Sequence, residues 1–315
     1  MKKYPMLRFM QKNIFHVSNS DQPKLAPGKK VLDDGRVYCT DIRYGEEYPN
    51  SFLDIYYSPV EAERHPTLFY IHGGGYSWGT KEDYFADSSD RGMGVFFSGV
   101  SKLGYNIVSV NYAFLPEHLY PTPIRQVSQA INFLKSANDL KIDMEHVAFG
   151  GDSAGAQIAG QFINIQINPS YAQEMGIAPV LPKEAIIALT SFSGLLDPER
   201  FGVTHHPIID ILFAKCGCAY YQTKELLGNA DCRQSSVIAY ATADFPPSFI
   251  SDGNNGTFYD QASDFSKRLT ELGVKNELVL YPSSEAILGH GYETADSPQA
   301  KATKQRAIRF LQELM

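Results

Sequence analysis

The chain has 315 residues, of which 43% are hydrophobic and 20% charged, a composition typical of a globular protein with a sizeable core. Its net charge of −7 argues against nucleic acid as a partner, because phosphate binding requires clustered Lys and Arg. The first twenty residues are polar and charged, unlike a signal peptide, and no later stretch reaches the ~20 apolar residues of a membrane span. We therefore expect one core domain, no membrane span and a location in the cytoplasm.

Short runs rich in apolar, β-branched and aromatic residues predict strands. They lie at residues 51–57, 67–71, 106–110, 146–149, 185–191, 248–251 and 277–281. Apolar residues at helical spacing predict helices, which lie at 123–137, 154–167, 258–272 and 300–314. Helices separate the later strands but not the earliest ones. We therefore expect an α/β fold with an antiparallel start, followed by a mostly parallel sheet with helices on both faces.

The alternation of strands and helices is interrupted at residues 198–236 by aromatic residues, two cysteines and helix-like stretches. We interpret this segment as a small cap inserted after the sixth core strand, and we expect residues 1–30 to pack against it. The predicted organisation is a single domain over residues 1–315, with cap elements at 1–30 and 198–236.

The segment at 198–236 also holds the one closely spaced pair among the four cysteines, Cys216 and Cys218. A single intervening residue is too few for a usual zinc-binding pair, so we expect free thiols and no metal. The one conceivable metal site would combine this pair with His205 and His206, and it lacks a second pair at a recognised spacing.

A glycine-rich loop, His72-Gly73-Gly74-Gly75, directly follows the strand at 67–71. Consecutive glycines leave backbone N–H groups unobstructed, so that they can donate to the oxyanion that forms during acyl transfer. The alternative interpretation is a flexible turn.

A second glycine motif, Gly151-Asp152-Ser153-Ala154-Gly155, joins a buried strand to a helix. A serine at such a sharp turn is exposed as a nucleophile, and the helix N-terminus favours negative charge beside it. The alternative is an ordinary glycine-rich turn, but the glycine loop upstream favours a nucleophile elbow. Ser153 is therefore the predicted nucleophile.

These motifs resemble those of the hormone-sensitive-lipase-like carboxylesterases, which have the α/β-hydrolase fold. The resemblance runs from about Leu53 to the C-terminus. It rests on three segments, namely His72 to Gly75, Asn111-Tyr112 through Leu115-Pro116-Glu117-His118-Leu119-Tyr120-Pro121, and Gly151 to Gly155.

The resemblance implies a mostly parallel central sheet flanked by helices, a small cap, and chemistry without a metal or an organic cofactor. It implies that the backbone N–H groups of Gly74, Gly75 and Ala154 form the oxyanion hole. His72 would then shape the glycine loop, and His118 would be a structural histidine at the end of a strand.

His290 is the predicted general base. In this fold the histidine follows the last strand of the sheet, and His290 lies in the loop Gly289-His290-Gly291-Tyr292 after the last predicted strand. A loop histidine between glycines is usually exposed and inert, but its place after the serine favours a base.

The acid of the catalytic triad is where the sequence departs from the resemblance. The family carries Gly-x-x-Asp after the seventh strand, whereas here Asp252-Gly253 is followed by Asn254, Asn255 and Gly256. Counting from the strand places Gly256 at the acid position, and counting from the following helix places Asn254 there. Neither residue can act as a carboxylate.

Three carboxylates remain as alternatives for the acid: Asp252, Asp260 and Asp197. Asp260 lies three residues after Thr257, an arrangement that resembles a helix capping box. Asp197 ends the sixth strand, where it could cap the turn into the inserted segment. Asp252 ends the seventh strand without an evident capping role, so it is the first choice.

The predicted function is a serine carboxylesterase that hydrolyses short-chain acyl esters through an acyl-enzyme intermediate. The implied partner is a small-molecule ester, and the oligomeric state is left open. An amidase or acyltransferase could use the same serine. The rival from another class is a non-catalytic binding protein on a hydrolase scaffold, which the missing acid motif favours and the retained serine, histidine and glycine loop oppose.

Overall fold

The computed structural model describes residues 4–24, 27–31, 37–82 and 92–315. Nine strands lie within these residues: β1 (Gly28–Val31), β2 (Val37–Arg43), β3 (Phe52–Tyr56), β4 (Thr67–Ile71), β5 (Asn106–Val110), β6 (Val147–Asp152), β7 (Ile186–Phe192), β8 (Ser248–Ser251) and β9 (Asn276–Val279). They form one sheet in the order β1-β2-β3-β5-β4-β6-β7-β8-β9. The pairs β1–β2, β2–β3 and β3–β5 are antiparallel, and the other pairs are parallel. The predicted α/β fold with an antiparallel start is therefore confirmed.

The described residues also form ten α-helices. They are α1 (Pro5–Asn13), α2 (Gly94–Lys102), α3 (Thr122–Ser136), α4 (Ala154–Ile167), α5 (Pro169–Met175), α6 (Pro207–Tyr220), α7 (Ala230–Gln234), α8 (Val237–Tyr240), α9 (Tyr259–Glu271) and α10 (Pro298–Gln312). None of these described helices is long and apolar enough to cross a bilayer.

Several predicted elements agree with the structure residue by residue. The strands at 67–71, 106–110 and 248–251 and the helix at 154–167 have the predicted bounds. The sequence patterns missed β1, β2, α1, α2 and α5. The first of these, β1, is exposed along its whole length and lacks the alternation of a half-buried strand. The strand predicted at 185–191, before the inserted segment, is β7, and the strand predicted at 248–251, before Asp252, is β8.

The central strands of the sheet are buried on both faces. On β4, Phe69 and Ile71 belong to the larger apolar cluster, and Leu68 and Tyr70 belong to the smaller one. This alternation follows from the two-residue period of a strand. Residues of α3, α4 and α9 complete the larger cluster, and residues of α2 and α10 complete the smaller one.

The segment between β7 and β8 holds α6, α7 and α8, of which α6 and α7 lie within residues 198–236, where the cap is predicted. α1 lies beside it, because Lys215 Nζ on α6 is 3.6 Å from Met6 Sδ on α1. α1 also contacts the segment that follows the glycine loop. Gln11 donates to the carbonyl oxygens of Ser77 at 2.8 Å and Leu115 at 2.7 Å.

Candidate active site

Ser153 lies on a strained turn between β6 and α4. Its backbone has φ 50° and ψ −117°, a conformation that L-residues rarely adopt. The flanking glycines make the turn possible. A Cβ at Gly151 would lie 2.5 Å from the carbonyl carbon of Gly155, and a Cβ at Gly155 would overlap the carbonyl oxygen of Ile71. The turn therefore presents the serine hydroxyl beside the end of β4.

His290 faces this hydroxyl from the loop after β9. Its Nε2 atom lies 2.9 Å from Ser153 Oγ, which is hydrogen-bonding distance. The rings of Phe213, on α6, and Phe258 pack edgewise on the imidazole, with centroids 5.0 and 5.1 Å away. Burial lowers the pKa of His290 to about 4, so the imidazole is neutral at neutral pH. A general base requires this neutral form.

Thr257 lies behind the histidine, and sequence reasoning missed it. Its Oγ1 atom is 3.2 Å from His290 Nδ1 and donates to Asp252 Oδ1 through a short hydrogen bond. The carboxylate of Asp252 is thus one hydroxyl away from the imidazole. The available clue in the sequence was a hydroxyl residue directly after Gly256, where the family motif places its acid.

Asp252 is fully buried at the end of β8. Its Oδ1 atom also accepts the N–H of Gly253 at 2.7 Å, and its Oδ2 atom has no hydrogen-bond partner among the described residues. Burial and, next, the charge of nearby Glu293 raise the pKa of Asp252 well above its usual value.

The two alternative carboxylates have other partners. Asp260 is exposed in the first turn of α9 and lies 3.5 Å from His205 Nε2. Asp197 lies 2.7 Å from Arg200 Nε. Neither forms a hydrogen bond with His290 in the ranges that the structure describes.

The predicted capping box at Thr257 and Asp260 is wrong. The N-cap residue of α9 is Phe258, and no side chain caps this helix end. The reason is that the Thr257 hydroxyl turns inward to Asp252 instead of toward the helix N-terminus.

Local packing explains why neither position of the family motif holds an acid. Gly256 has φ 64°, and a Cβ there would lie 2.9 Å from Ile209 Cδ1 and 3.1 Å from His206 Cβ, at the start of α6. Asn254 supports the histidine loop. Its Nδ2 donates to the carbonyl oxygen of Ala286 at 2.8 Å, and its Oδ1 accepts the N–H of Leu288 at 3.0 Å.

The glycine loop is fixed against the serine turn. The N–H of Gly73 donates to Asp152 Oδ1 at 3.1 Å, and the Tyr112 hydroxyl donates to the carbonyl oxygen of Gly73 at 2.9 Å. Gly74 and Gly75 both have positive φ, 93° and 56°. The N–H groups of Gly74, Gly75 and Ala154 donate to no acceptor within the described part of the chain, so they are free to bind an oxyanion.

Comparison with known proteins identifies the family. A family model described as the α/β-hydrolase fold matches residues 68–290, which include the glycine loop, Ser153 and His290. The chain belongs to the α/β-hydrolase fold family. The carboxylesterase NlhH of Mycobacterium tuberculosis is 28% identical to this hydrolase over 242 residues, which are 76% of this chain and 70% of that protein.

Solved structures support the same fold. Esterase B of Lactobacillus rhamnosis has a TM-score of 0.69 at 20% identity, over 91% of this chain and 88% of its own. An esterase of the bacterial hormone-sensitive lipase family has a TM-score of 0.61 at 18% identity, over 98% of this chain and 90% of its own. The predicted α/β-hydrolase fold is therefore confirmed, and the carboxylesterase relatives support a carboxylic ester hydrolase.

Two further histidines of this α/β hydrolase lie outside the pair formed by Ser153 and His290. His72 is buried and stacks on Tyr112 at a ring distance of 4.4 Å, and burial lowers its pKa to about 4. His118 lies in a turn, where its N–H donates to the carbonyl oxygen of Phe114 at 3.2 Å. The prediction that His118 ends a strand is wrong, because β5 ends eight residues earlier at Val110.

The four cysteines of the hydrolase are free thiols. Cys216 is buried beside the glycine loop, where a Cβ at Gly75 would lie 3.4 Å from its Sγ atom. Cys218 Sγ lies 3.6 Å from the carbonyl oxygen of Lys224. No three His, Cys, Asp or Glu side chains come together as a metal site among the described residues.

Proposed function

We propose that this protein is a serine carboxylesterase that hydrolyses short-chain acyl esters through an acyl-enzyme intermediate. The observation that carries the proposal is the 2.9 Å contact of His290 Nε2 with Ser153 Oγ. The free N–H groups of Gly74, Gly75 and Ala154 also support the proposal, since acyl transfer needs hydrogen-bond donors for the oxyanion. The carboxylesterase relatives support the same class of reaction.

The reaction begins when Ser153 Oγ attacks the ester carbonyl carbon while His290 Nε2 takes its proton. The tetrahedral oxyanion is held by the N–H groups of Gly74, Gly75 and Ala154. The C–O bond to the alcohol then breaks, and His290 returns the proton to the departing oxygen. Water, deprotonated by His290, attacks the acyl-serine carbonyl and releases the carboxylic acid and free Ser153.

The acyl pocket is proposed to be closed by the cap elements at 1–30 and 198–236. The supporting contacts are aromatic. Phe213 of α6 packs on Phe201 and Phe258 with ring centroids 5.3 and 5.2 Å away, directly beside His290. A location in the cytoplasm stays a prediction from the sequence.

Substrate size is the first prediction. We expect acetyl to butyryl esters to have a higher kcat/KM than decanoyl or longer esters, because the rings of Phe201, Phe213 and Phe258 pack together beside His290 and are proposed to limit the length of the acyl pocket. A series of nitrophenyl esters of increasing acyl length measures this directly. A kcat/KM that rises steadily with chain length would contradict a closed pocket. In that case Phe213→Ala should not change the preference for acyl-chain length.

The identity of the acid is the second prediction. Asp252→Asn is expected to lower kcat about 10²-fold, less than the ~10⁴-fold loss in a serine protease whose aspartate contacts the histidine directly. Asp260→Asn and Asp197→Asn serve as matched controls and should keep kcat within about twofold, because their partners are His205 and Arg200. Rates with a short ester and a melting curve for each variant test this. A collapse of kcat in either control variant would assign the acid to that residue.

A further inference from the structure

Thr257 stands between the base and its carboxylate. We propose that Thr257 is a positioning residue whose hydroxyl couples Asp252 to His290 and fixes the imidazole tautomer that accepts the proton of Ser153. The inference rests on the proposed function, because it assigns a role within the same site. It replaces the direct carboxylate–histidine contact of an ordinary triad by a contact through one hydroxyl.

The contacts of Oγ1 leave little room for another partner of the imidazole. Thr257 is 5% exposed, so its hydroxyl is nearly closed to water. It lies 3.2 Å from His290 Nδ1 on one side and bonds Asp252 Oδ1 on the other. Within the described residues Nδ1 has no other hydrogen-bond partner. The orientation of the imidazole therefore depends on this hydroxyl.

The direction of the hydroxyl proton sets the tautomer. A threonine hydroxyl has one proton, so it cannot donate to both neighbours. An ionised Asp252 can only accept, which directs the proton to Oδ1 and leaves the lone pairs of Oγ1 facing Nδ1. Nδ1 then carries the imidazole proton. Nε2 is left unprotonated opposite Ser153 Oγ, as a general base requires.

The same logic makes activity depend on the charge of Asp252. If Asp252 takes up a proton, the carboxyl group can donate to Oγ1, and Oγ1 can donate to Nδ1. The imidazole proton then moves to Nε2, where it can no longer accept the serine proton. Activity should therefore fall as pH decreases through the pKa of Asp252.

Several groups face Asp252 and affect its titration. Glu293, from the turn after His290, is buried and accepts from the hydroxyls of Ser193 at 2.8 Å and Ser251 at 2.6 Å. Burial raises the pKa of Glu293 to about 7, and the charge of Asp152, at the end of β6, adds to the rise. Glu293 in turn raises the pKa of Asp252, whereas the hydrogen bonds of Thr257 and the Gly253 N–H lower it.

The acid limb of the pH profile should consequently belong to the carboxylate. Burial lowers the pKa of His290 to about 4, while that of Asp252 is raised well above its usual value. We therefore expect Asp252 to take up its proton before the imidazole as pH falls. In the native protein kcat/KM should decline well above pH 4. Without the hydroxyl the decline should move toward the value of the imidazole itself.

The test compares Thr257→Val, which removes the hydroxyl, with Thr257→Ser, which keeps it. Thr257→Val is expected to lower kcat about 10²-fold with KM within about threefold, and Thr257→Ser to restore kcat to within about fivefold of the native protein. Thr67→Val is the matched control. It also loses a buried hydroxyl bond, to the carbonyl oxygen of Asp143, at the opposite end of β4, and it should keep kcat. Thr257→Ala replaces Thr257→Val if the latter does not melt cooperatively.

A double-mutant cycle with Asp252→Asn decides whether the two residues act together. If Thr257 relays the carboxylate, the double variant should lose no more kcat than the worse single variant, and its acid limb should match that of Thr257→Val. Native kcat in Thr257→Val, or losses that multiply in the double variant, would overturn the relay. A native protein that neither hydrolyses esters nor reacts with a fluorophosphonate at Ser153 would instead refute the proposed function.

Discussion

Ser153→Ala is expected to lower kcat for a short ester by about 10⁴-fold or more, because the variant has no nucleophile to form the acyl-enzyme. The hydroxyl lies 2.9 Å from Nε2 of His290, and Ser153 is 7% exposed. A water molecule in the place of the hydroxyl could attack the ester but could not form an acyl-enzyme. Initial rates with an acetyl nitrophenyl ester measure the loss.

A fluorophosphonate probe gives an independent measurement of the same prediction. The native protein should take one label, mapped by mass spectrometry to Ser153, and Ser153→Ala should take none. Ser128→Ala is the matched control, since the hydroxyl of Ser128 bonds the carbonyl oxygen of Ile124 within α3 and no other group among the residues that the structure describes. It should label and turn over like the native protein. Labelling at another residue, or unchanged turnover in Ser153→Ala, would leave the non-catalytic binding protein as the better interpretation.

The serine turn could be predicted from the sequence because its determinants are local. The conformation of Ser153 requires small neighbours within two residues on either side, and the helix that follows has a regular apolar pattern. The bounds of α4 and β4 were therefore predicted to the residue. The chain order of serine and histidine then identified His290, although 137 residues separate the two.

The link between Asp252 and His290 could not be predicted in the same way. It depends on the inward rotation of one threonine, which the sequence also allows to cap α9. Which hydrogen bond forms is decided by tertiary packing, because the start of α6 occupies the space beside Gly256. The sequence therefore predicts a carboxylate at the end of the strand that is β8, but not the hydroxyl through which it reaches the imidazole.

The contacts of the N-terminal helix could not be predicted from the sequence either. α1 is short, and its side chain Gln11 donates across 66 residues to Ser77, two residues after the glycine loop, and across 104 residues to Leu115. An isolated helix of nine residues is marginal in water, so such a helix forms through its tertiary contacts. The spacing of apolar residues along the sequence carries no information about those contacts.

The second large effect on kcat is expected for a substitution in the glycine loop. Gly74→Ala is expected to lower kcat by about 10²- to 10³-fold, the loss that follows removal of one oxyanion donor. Gly74 has φ 93°, and a Cβ there would overlap the carbonyl oxygen of Trp78, so the loop must move and its N–H groups must leave their positions. The kinetic parameters kcat and KM for an acetyl ester measure this loss. KM should change far less than kcat, because the oxyanion is absent from the bound ester and forms only as Ser153 attacks.

Gly104→Ala separates the loss of oxyanion donors from backbone strain alone. Gly104 also has positive φ, 113°, but a Cβ there would meet nothing closer than Met315 Cε at 3.7 Å. The strain of an L-residue at positive φ should cost Gly104→Ala about 1–2 kcal/mol of unfolding free energy and leave kcat unchanged. If both variants lost kcat in proportion to their stability, the loop would contribute only to folding. A fall of kcat in Gly74→Ala alone, at comparable stability, would assign the oxyanion donors to this loop.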